Sequence, residues 1–154
     1  MSRFKLLITY DGTNYQGWQI QKDGRTVQGI IENAFSDLSG INERIRLNGS
    51  GRTDAGVHAL GQVAHIDFKT NLNIQALKNA LNARLPEDCR IISIEQVDKN
   101  FHSRYNAKKR YYRYQCHEGD SILFRNQCWI INSLDILCLN ELASFLVGNH
   151  DFLS

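Results

Sequence analysis

A chain of 154 residues with 42% hydrophobic and 22% charged residues carries enough apolar material for one folded domain of ordinary core size, which excludes a disordered or low-complexity protein. Its apolar runs are only a few residues long, too short for a membrane-spanning helix. The polar opening at residues 1–5 does not read as a signal peptide, so cytoplasmic residence is expected. A net charge of +2 decides nothing about nucleic acid by itself, so the distribution of charge has to be read along the chain.

Residues 4–10 form the first expected strand, apolar on one face. Residues 11–25 are polar, carry Gly12, Gly17 and Gly24, and read as a loop. Thr26 is an expected N-cap; after it Val27, Ile30, Ile31, Ala34, Phe35 and Leu38 recur at helical spacing until Gly40 stops the helix. Strands are expected at 44–47 and 61–68. A second helix runs from about Asn73, with Ile74, Leu77, Ala80, Leu81 and Leu85 on one side, and ends before Pro86, the only proline. Residues 89–97, rich in isoleucine, complete a β-α-β-β-α-β order. The fold class is therefore α+β, a ferredoxin-like unit whose helices cover one face of an antiparallel sheet and leave the other for a ligand.

Further strands are expected at 108–117 and 127–131, around a turn at 118–121, and a third helix at about 135–147 buries Leu139, Leu142, Ala143 and Leu146. The expected division is a unit at 1–99 and a second segment at 100–154. The four cysteines, Cys89, Cys116, Cys128 and Cys138, have no short paired spacing. They read as buried free thiols, with no zinc site and no other metal expected.

Chemistry concentrates in Gly51-Arg52-Thr53-Asp54-Ala55-Gly56-Val57-His58, the loop between the second and third strands. It sets one carboxylate, Asp54, beside one permanent cation, Arg52, on a tight turn between rigid elements, where catalytic groups are often presented. The glycines let the backbone bend and let a ligand approach. An aspartate at such a turn also commonly serves its own backbone. The spacing Gly51 to Gly56 matches a phosphate-binding loop, but Val57 and His58 stand where lysine and a hydroxyl residue should be, and Gly49-Ser50-Gly51 does not continue as a dinucleotide fingerprint.

Residues 104–113 contain Arg104, Lys108, Lys109, Arg110 and Arg113 without an acid, interleaved with tyrosines. Such a stretch is either a nucleic-acid surface or a solvated strand face. On a strand, Tyr112 and Tyr114 would share one face and Tyr111 the other. Tyr15 and Trp18, in the first loop, either stack on RNA or fold back on the core. His65, on a strand, reads as structural.

Four ordered motifs resemble the TruA-type tRNA pseudouridine synthases, through the whole chain. They are Tyr10-Asp11-Gly12-Thr13-Asn14-Tyr15-Gln16-Gly17-Trp18-Gln19, the run GRTDAGVHALGQVAHIDF, Phe101-His102-Ser103-Arg104-Tyr105 with Lys109-Arg110-Tyr111-Tyr112-Arg113-Tyr114, and Gly148-Asn149-His150-Asp151-Phe152. The resemblance implies isomerisation of uridine to pseudouridine in the tRNA anticodon stem-loop, at tRNA positions 38–40, by a homodimer without metal or organic cofactor. It makes Asp54 the essential carboxylate, assigned as the catalytic nucleophile with action as a base on the sugar the other route, and Tyr112 the active-site tyrosine that holds the flipped uracil. Arg52 would meet the nucleotide phosphate or the Asp54 loop, and His58 and Gln62 would orient that loop or meet RNA. Arg104, Lys108, Lys109 and Arg113 would contact the RNA backbone, positioning it without reading sequence. The resemblance also implies a longer protein, of which this chain is the N-terminal half. A basic and an aliphatic residue of the pocket then lie outside it, so the chain alone is expected to be inactive. The alternative is a tRNA-binding module on the same scaffold whose binding does not depend on Asp54.

Overall fold

A computed structural model describes residues 1–40 and 44–151. It comprises two compact units, Met1–Arg110 and Tyr111–Ser154. In the first, β1 (Ser2–Tyr10), α1 (Val27–Ser39), β2 (Leu47–Gly49), β3 (Ala59–Phe68), α2 (Ile74–Asn82) and β4 (Cys89–Val97) follow one another. The sheet order is β2-β3-β1-β4 and every neighbouring pair is antiparallel. This is the ferredoxin-like order expected from the pattern, and β4 keeps its expected limits. β2 begins three residues later than the apolar pattern suggested, at Leu47 rather than Arg44, because Arg44 is drawn to Glu32 (2.6 Å) instead of to a ladder.

The helices form where their caps dictate. Thr26 accepts a hydrogen bond from the Gly29 N–H, and Gly40 ends α1 in the left-handed conformation (φ 65°). Asn73 caps α2 by accepting from the Ala76 N–H. The core is the helix-facing side of the sheet. Phe4, Leu6, Ile8 and Tyr10 alternate inward along β1 and join Ala64, Ile66 and Phe68 of β3, Ile91 and Ile94 of β4, and the apolar sides of α1 and α2. Phe35 of α1 meets Phe68 edge-on at 5.0 Å.

The opposite face of the sheet is not wholly free. The segment after β4 folds across one end of it. Arg3 donates to the carbonyls of Lys99 (2.6 Å) and Phe101 (2.9 Å), and His65 is covered by Phe101, His102 and Ser103. The Ser103 N–H donates to His65 Nδ1 (3.1 Å), which fixes that nitrogen as an acceptor and the ring as neutral. Burial, with Arg3 and His102 nearby, pushes the His65 pKa down to about 4. His65 is structural, as its place on a strand suggested.

The second unit contains β5 (Cys116–Glu118) and β6 (Trp129–Ile131), paired in parallel, and α3 (Ile136–Ser144), capped by Asp135. It differs from expectation in two ways. Residues 108–115 form no ladder, so the strand begins only at Cys116, and the tyrosines lie outside it. No residue of α3 is buried; Leu139, Leu142 and Leu146 are exposed. Helical spacing predicted the helix but could not supply a surface to bury its apolar side. All four cysteines are free, but only Cys89 is buried. The last sequence motif reaches Phe152, which lies outside the described residues. No helix of the described residues is long and apolar enough to cross a membrane.

Candidate active site

The loop between β2 and β3 is a tight turn hung on backbone hydrogen bonds. The Val57 N–H donates to the Asp54 carbonyl (3.3 Å), and Gly56 between them takes a φ of 78°, which a side chain would resist. Because the turn feeds a strand and not a helix, it cannot present helix N–H groups to a phosphate, and the phosphate-loop reading fails. The carboxylate of Asp54 points outward: it is exposed, and among the described residues it accepts no hydrogen bond and forms no ion pair. It therefore does not cap its own turn. Arg52 is likewise exposed and unpaired among the described residues, so the two charges stand near one another without neutralising each other.

Both residues line one open cleft of about 380 Å³. It is lined by Arg52, Thr53, Asp54 and Ala55 of this loop and by Gln16, Gln19 and Gln21 of the loop that follows β1. A cleft with one anion, one cation and three neutral hydrogen-bonding groups suits a polar ligand that carries both a negative group and an electron-poor centre.

The neighbouring candidates hold the loop. Gln62 on β3 uses both ends of its amide: its Oε1 accepts from Ser50 Oγ (2.9 Å), and its Nε2 donates to the Gly51 carbonyl (2.8 Å). Nδ1 of His58 accepts from the Gly12 N–H (3.1 Å) and lies 3.0 Å from Asp11 Oδ1. Tyr15 and Trp18, left open between stacking and packing, are both buried beneath the loop. At Gly12 there is no room for a side chain, because a Cβ would collide with the Val57 carbonyl.

Arg110 was not among the site residues suggested by motif or spacing, yet it donates to the Ser50 carbonyl (2.7 Å). A Cβ on Gly51 would lie only 3.3 Å from its Nε. The basic run announced a charge here, but not that this exposed member reaches the Ser50 carbonyl. Arg104, Lys108 and Lys109 are exposed in the first unit. Tyr112 and Arg113 belong to the second unit, where both are exposed. Within the first unit, then, Arg52 and Asp54 line the cleft, while His58 and Gln62 bond to its surroundings and do not line it. Among the described residues no group of three His, Cys, Asp or Glu side chains is placed to hold a metal.

Residues 6–106, which contain all of the first unit's sheet but the start of β1, together with α1, α2 and this loop, match the sequence profile of a family described as tRNA pseudouridine synthase. The chain is 46% identical over 156 residues to the tRNA pseudouridine synthase A of Afipia carboxidovorans, covering 99% of this chain and 63% of that protein. It is 41% identical over 157 residues to the protein of the same name from Pseudothermotoga lettingae, covering 100% of this chain and 63% of the relative. For that of Maridesulfovibrio salexigens the identity is 43% over 157 residues, and 57% of the relative is covered. The chain thus spans somewhat under two thirds of the length of these relatives. The profile match takes in the β-α-β-β-α-β unit and the Asp54 loop alike, and this chain belongs to the tRNA pseudouridine synthase family.

Proposed function

We propose that this chain is the carboxylate-bearing part of an isomerase that converts uridine to pseudouridine in tRNA. The observation that carries the proposal is Asp54, an exposed carboxylate without an internal partner, held on a backbone-braced turn at the mouth of a polar cleft.

The reaction breaks the bond between ribose C1′ and uracil N1, turns the base, and joins C1′ to C5. The hydrogen on C5 is lost to solvent and N1 gains one. The barrier lies in the electron-poor C1′ left as the base departs. A carboxylate at that carbon offsets the deficiency, as in glycoside cleavage, and Asp54 acts as the nucleophile. A stacked nucleotide hides C1′, so the uridine must leave its helix first. Tyr112 then stacks on the extruded base, and Arg52 meets its phosphate. His58 and Gln62 hold the loop in place. Arg104, Lys108, Lys109 and Arg113 contact the RNA backbone.

The finer expectations rest on the family resemblance: uridines of the anticodon stem-loop as substrate, a cytoplasmic homodimer as the complete enzyme, and no cofactor. A basic and an aliphatic residue that complete the pocket belong to the further length carried by the relatives. Tritium release from tRNA bearing 5-tritiated uridine tests the reading, because the C5 hydrogen must leave. The chain completed to the length of its relatives is expected to release tritium, and the 154-residue chain alone is not. Tight tRNA binding with no release from either form would instead favour a binding module.

A further inference from the structure

The Asp54 loop has almost no core of its own, so its position must be set from outside. Gln62 and Arg110 hold its start at Ser50 and Gly51, but the anchors of Thr53–Gly56 lie on residues 10–18. The Trp18 N–H donates to the Thr53 carbonyl (2.9 Å), the Tyr10 hydroxyl shares a hydrogen bond with Thr53 Oγ1 (2.8 Å), and the Gly56 N–H donates to the Tyr15 carbonyl (3.2 Å). Gly17, at φ 87°, lets the two backbones meet; a Cβ there would lie 2.6 Å from the Thr53 carbonyl oxygen.

That segment is itself a loop, with a single 3-10 turn at Gly12–Asn14. It is tied at its far end to α1, where the Gln28 N–H donates to the Trp18 carbonyl (2.9 Å) and the Val27 N–H to the Gly17 carbonyl (3.2 Å), and across its middle to Asp88, between α2 and β4. The Tyr15 hydroxyl donates to Asp88 Oδ1 (2.7 Å), and the Asp11 N–H donates to the Asp88 carbonyl (2.9 Å). Arg25 closes the cluster with two parallel bonds to the Asp88 carboxylate (2.7 and 2.8 Å) while its guanidinium lies 4.1 Å from the centre of the Tyr15 ring. The Gln16 N–H then hangs from the Arg25 carbonyl (2.8 Å). Asp88 is thus reached by aspartate, tyrosine and arginine of the first loop, and both sides of the cleft connect to it: Gln16 through Arg25, and the Asp54 turn through the Gly56 N–H on Tyr15, while Thr53 hangs from Tyr10 and Trp18. The pairing with Arg25 holds the Asp88 carboxyl below the usual carboxylate range, so the cluster stays ionised at neutral pH.

We propose that Asp88, Arg25 and Tyr15 form a positioning cluster that sets the Asp54 carboxylate against the bound nucleotide, a role resting on Asp54 being the reacting group. None of the three lines the cleft itself, so they act through the backbone of the two loops. Displacing a reacting group by about 1 Å costs on the order of 10²-fold in rate, so a modest slackening is enough to matter.

Two measurements test this. In the 154-residue chain, amide hydrogen exchange compares the parent with Asp88→Asn and Tyr15→Phe. Protection at Gln16 and Gly56, whose N–H groups bond to the Arg25 and Tyr15 carbonyls, is expected to fall at least about tenfold, while Leu6 and Ala64 in the central strands keep theirs. Unchanged protection at the loop, or an equal fall in the strands, would overturn the proposal. In the chain completed to the length of its relatives, Asp88→Asn is expected to lower kcat by roughly 10- to 100-fold with KM for tRNA within about twofold, since the RNA-backbone contacts lie elsewhere. Arg25→Lys, which keeps the charge but not the double bond, should fall between. A rise in KM with kcat unchanged would contradict a positioning role. Asp54→Asn is run beside these: if it isomerises tRNA normally, the functional reading fails, and the exchange comparison alone decides whether the cluster holds the loop.

Discussion

The two units of the chain stand in contrast over burial. Among the described residues every buried apolar side chain lies in Met1–Arg110, whereas Tyr111–Ser154 exposes Leu123, Trp129, Leu137, Leu142 and Phe145. The first unit has two helices laid on a four-stranded sheet and closes a core by itself. The second has a three-residue parallel pair and one helix, too little to bury its own apolar side. Secondary structure can therefore form from local sequence, while a fixed site needs the closed core. The Asp54 loop is held because it grows out of that core.

Several changes would sharpen or break this contrast. The largest effect should fall on chemistry: in a completed chain, Asp54→Asn is expected to lose at least about 10³-fold in rate, roughly 4 kcal/mol of barrier, with tRNA affinity retained. Next comes the core. Leu77→Ala, at a fully buried position, should cost about 2–5 kcal/mol in urea unfolding. Gly12→Ala should cost roughly 2–3 kcal/mol because the loops must part to admit the methyl group. If Leu77→Ala proved as mild as a surface change, the first unit's core would not be what holds it.

The pH dependence is also specific to the first unit. His65 has a folded pKa of about 4 against an ordinary 6.5, so the unfolded chain takes up its proton first as the pH falls. The stability contributed is full above pH 6.5 and is lost progressively between 6.5 and 4, by up to roughly 3 kcal/mol. Urea midpoints measured across this window check it, and His65→Gln should flatten the slope. The smallest effect belongs to the second unit: Leu142→Ser on α3 should change stability by less than about 0.5 kcal/mol.

Much of the first unit was legible because local and global signals agree there. The Thr26 cap, the Gly40 stop, the apolar spacing between Asn73 and Pro86 and the one-sided apolar pattern of β1 each name an element, and they contribute to the β-α-β-β-α-β order. The second unit misled where pattern and burial part company. Leu139 and Leu142 keep helical spacing with nothing packed on them, and the tyrosine run has strand-like residues but no ladder. At the site, the motif singles out Asp54 but gives no sign of the bracing beneath it. Arg25 and Asp88 are 63 residues apart, and Arg110 meets Ser50 across 60; no spacing rule joins such pairs. Gln62 was named, but only the structure shows that both ends of its amide are spent on Ser50 and Gly51.

The central claim is that the first unit presents Asp54 as the reacting carboxylate. The most direct test measures tritium release and tRNA binding in parallel, for the completed chain and its Asp54→Asn variant. The account predicts that release vanishes in the variant while binding stays within about twofold, since a single amide replaces an acid that is not a binding group. Release by the variant at an undiminished rate would contradict it.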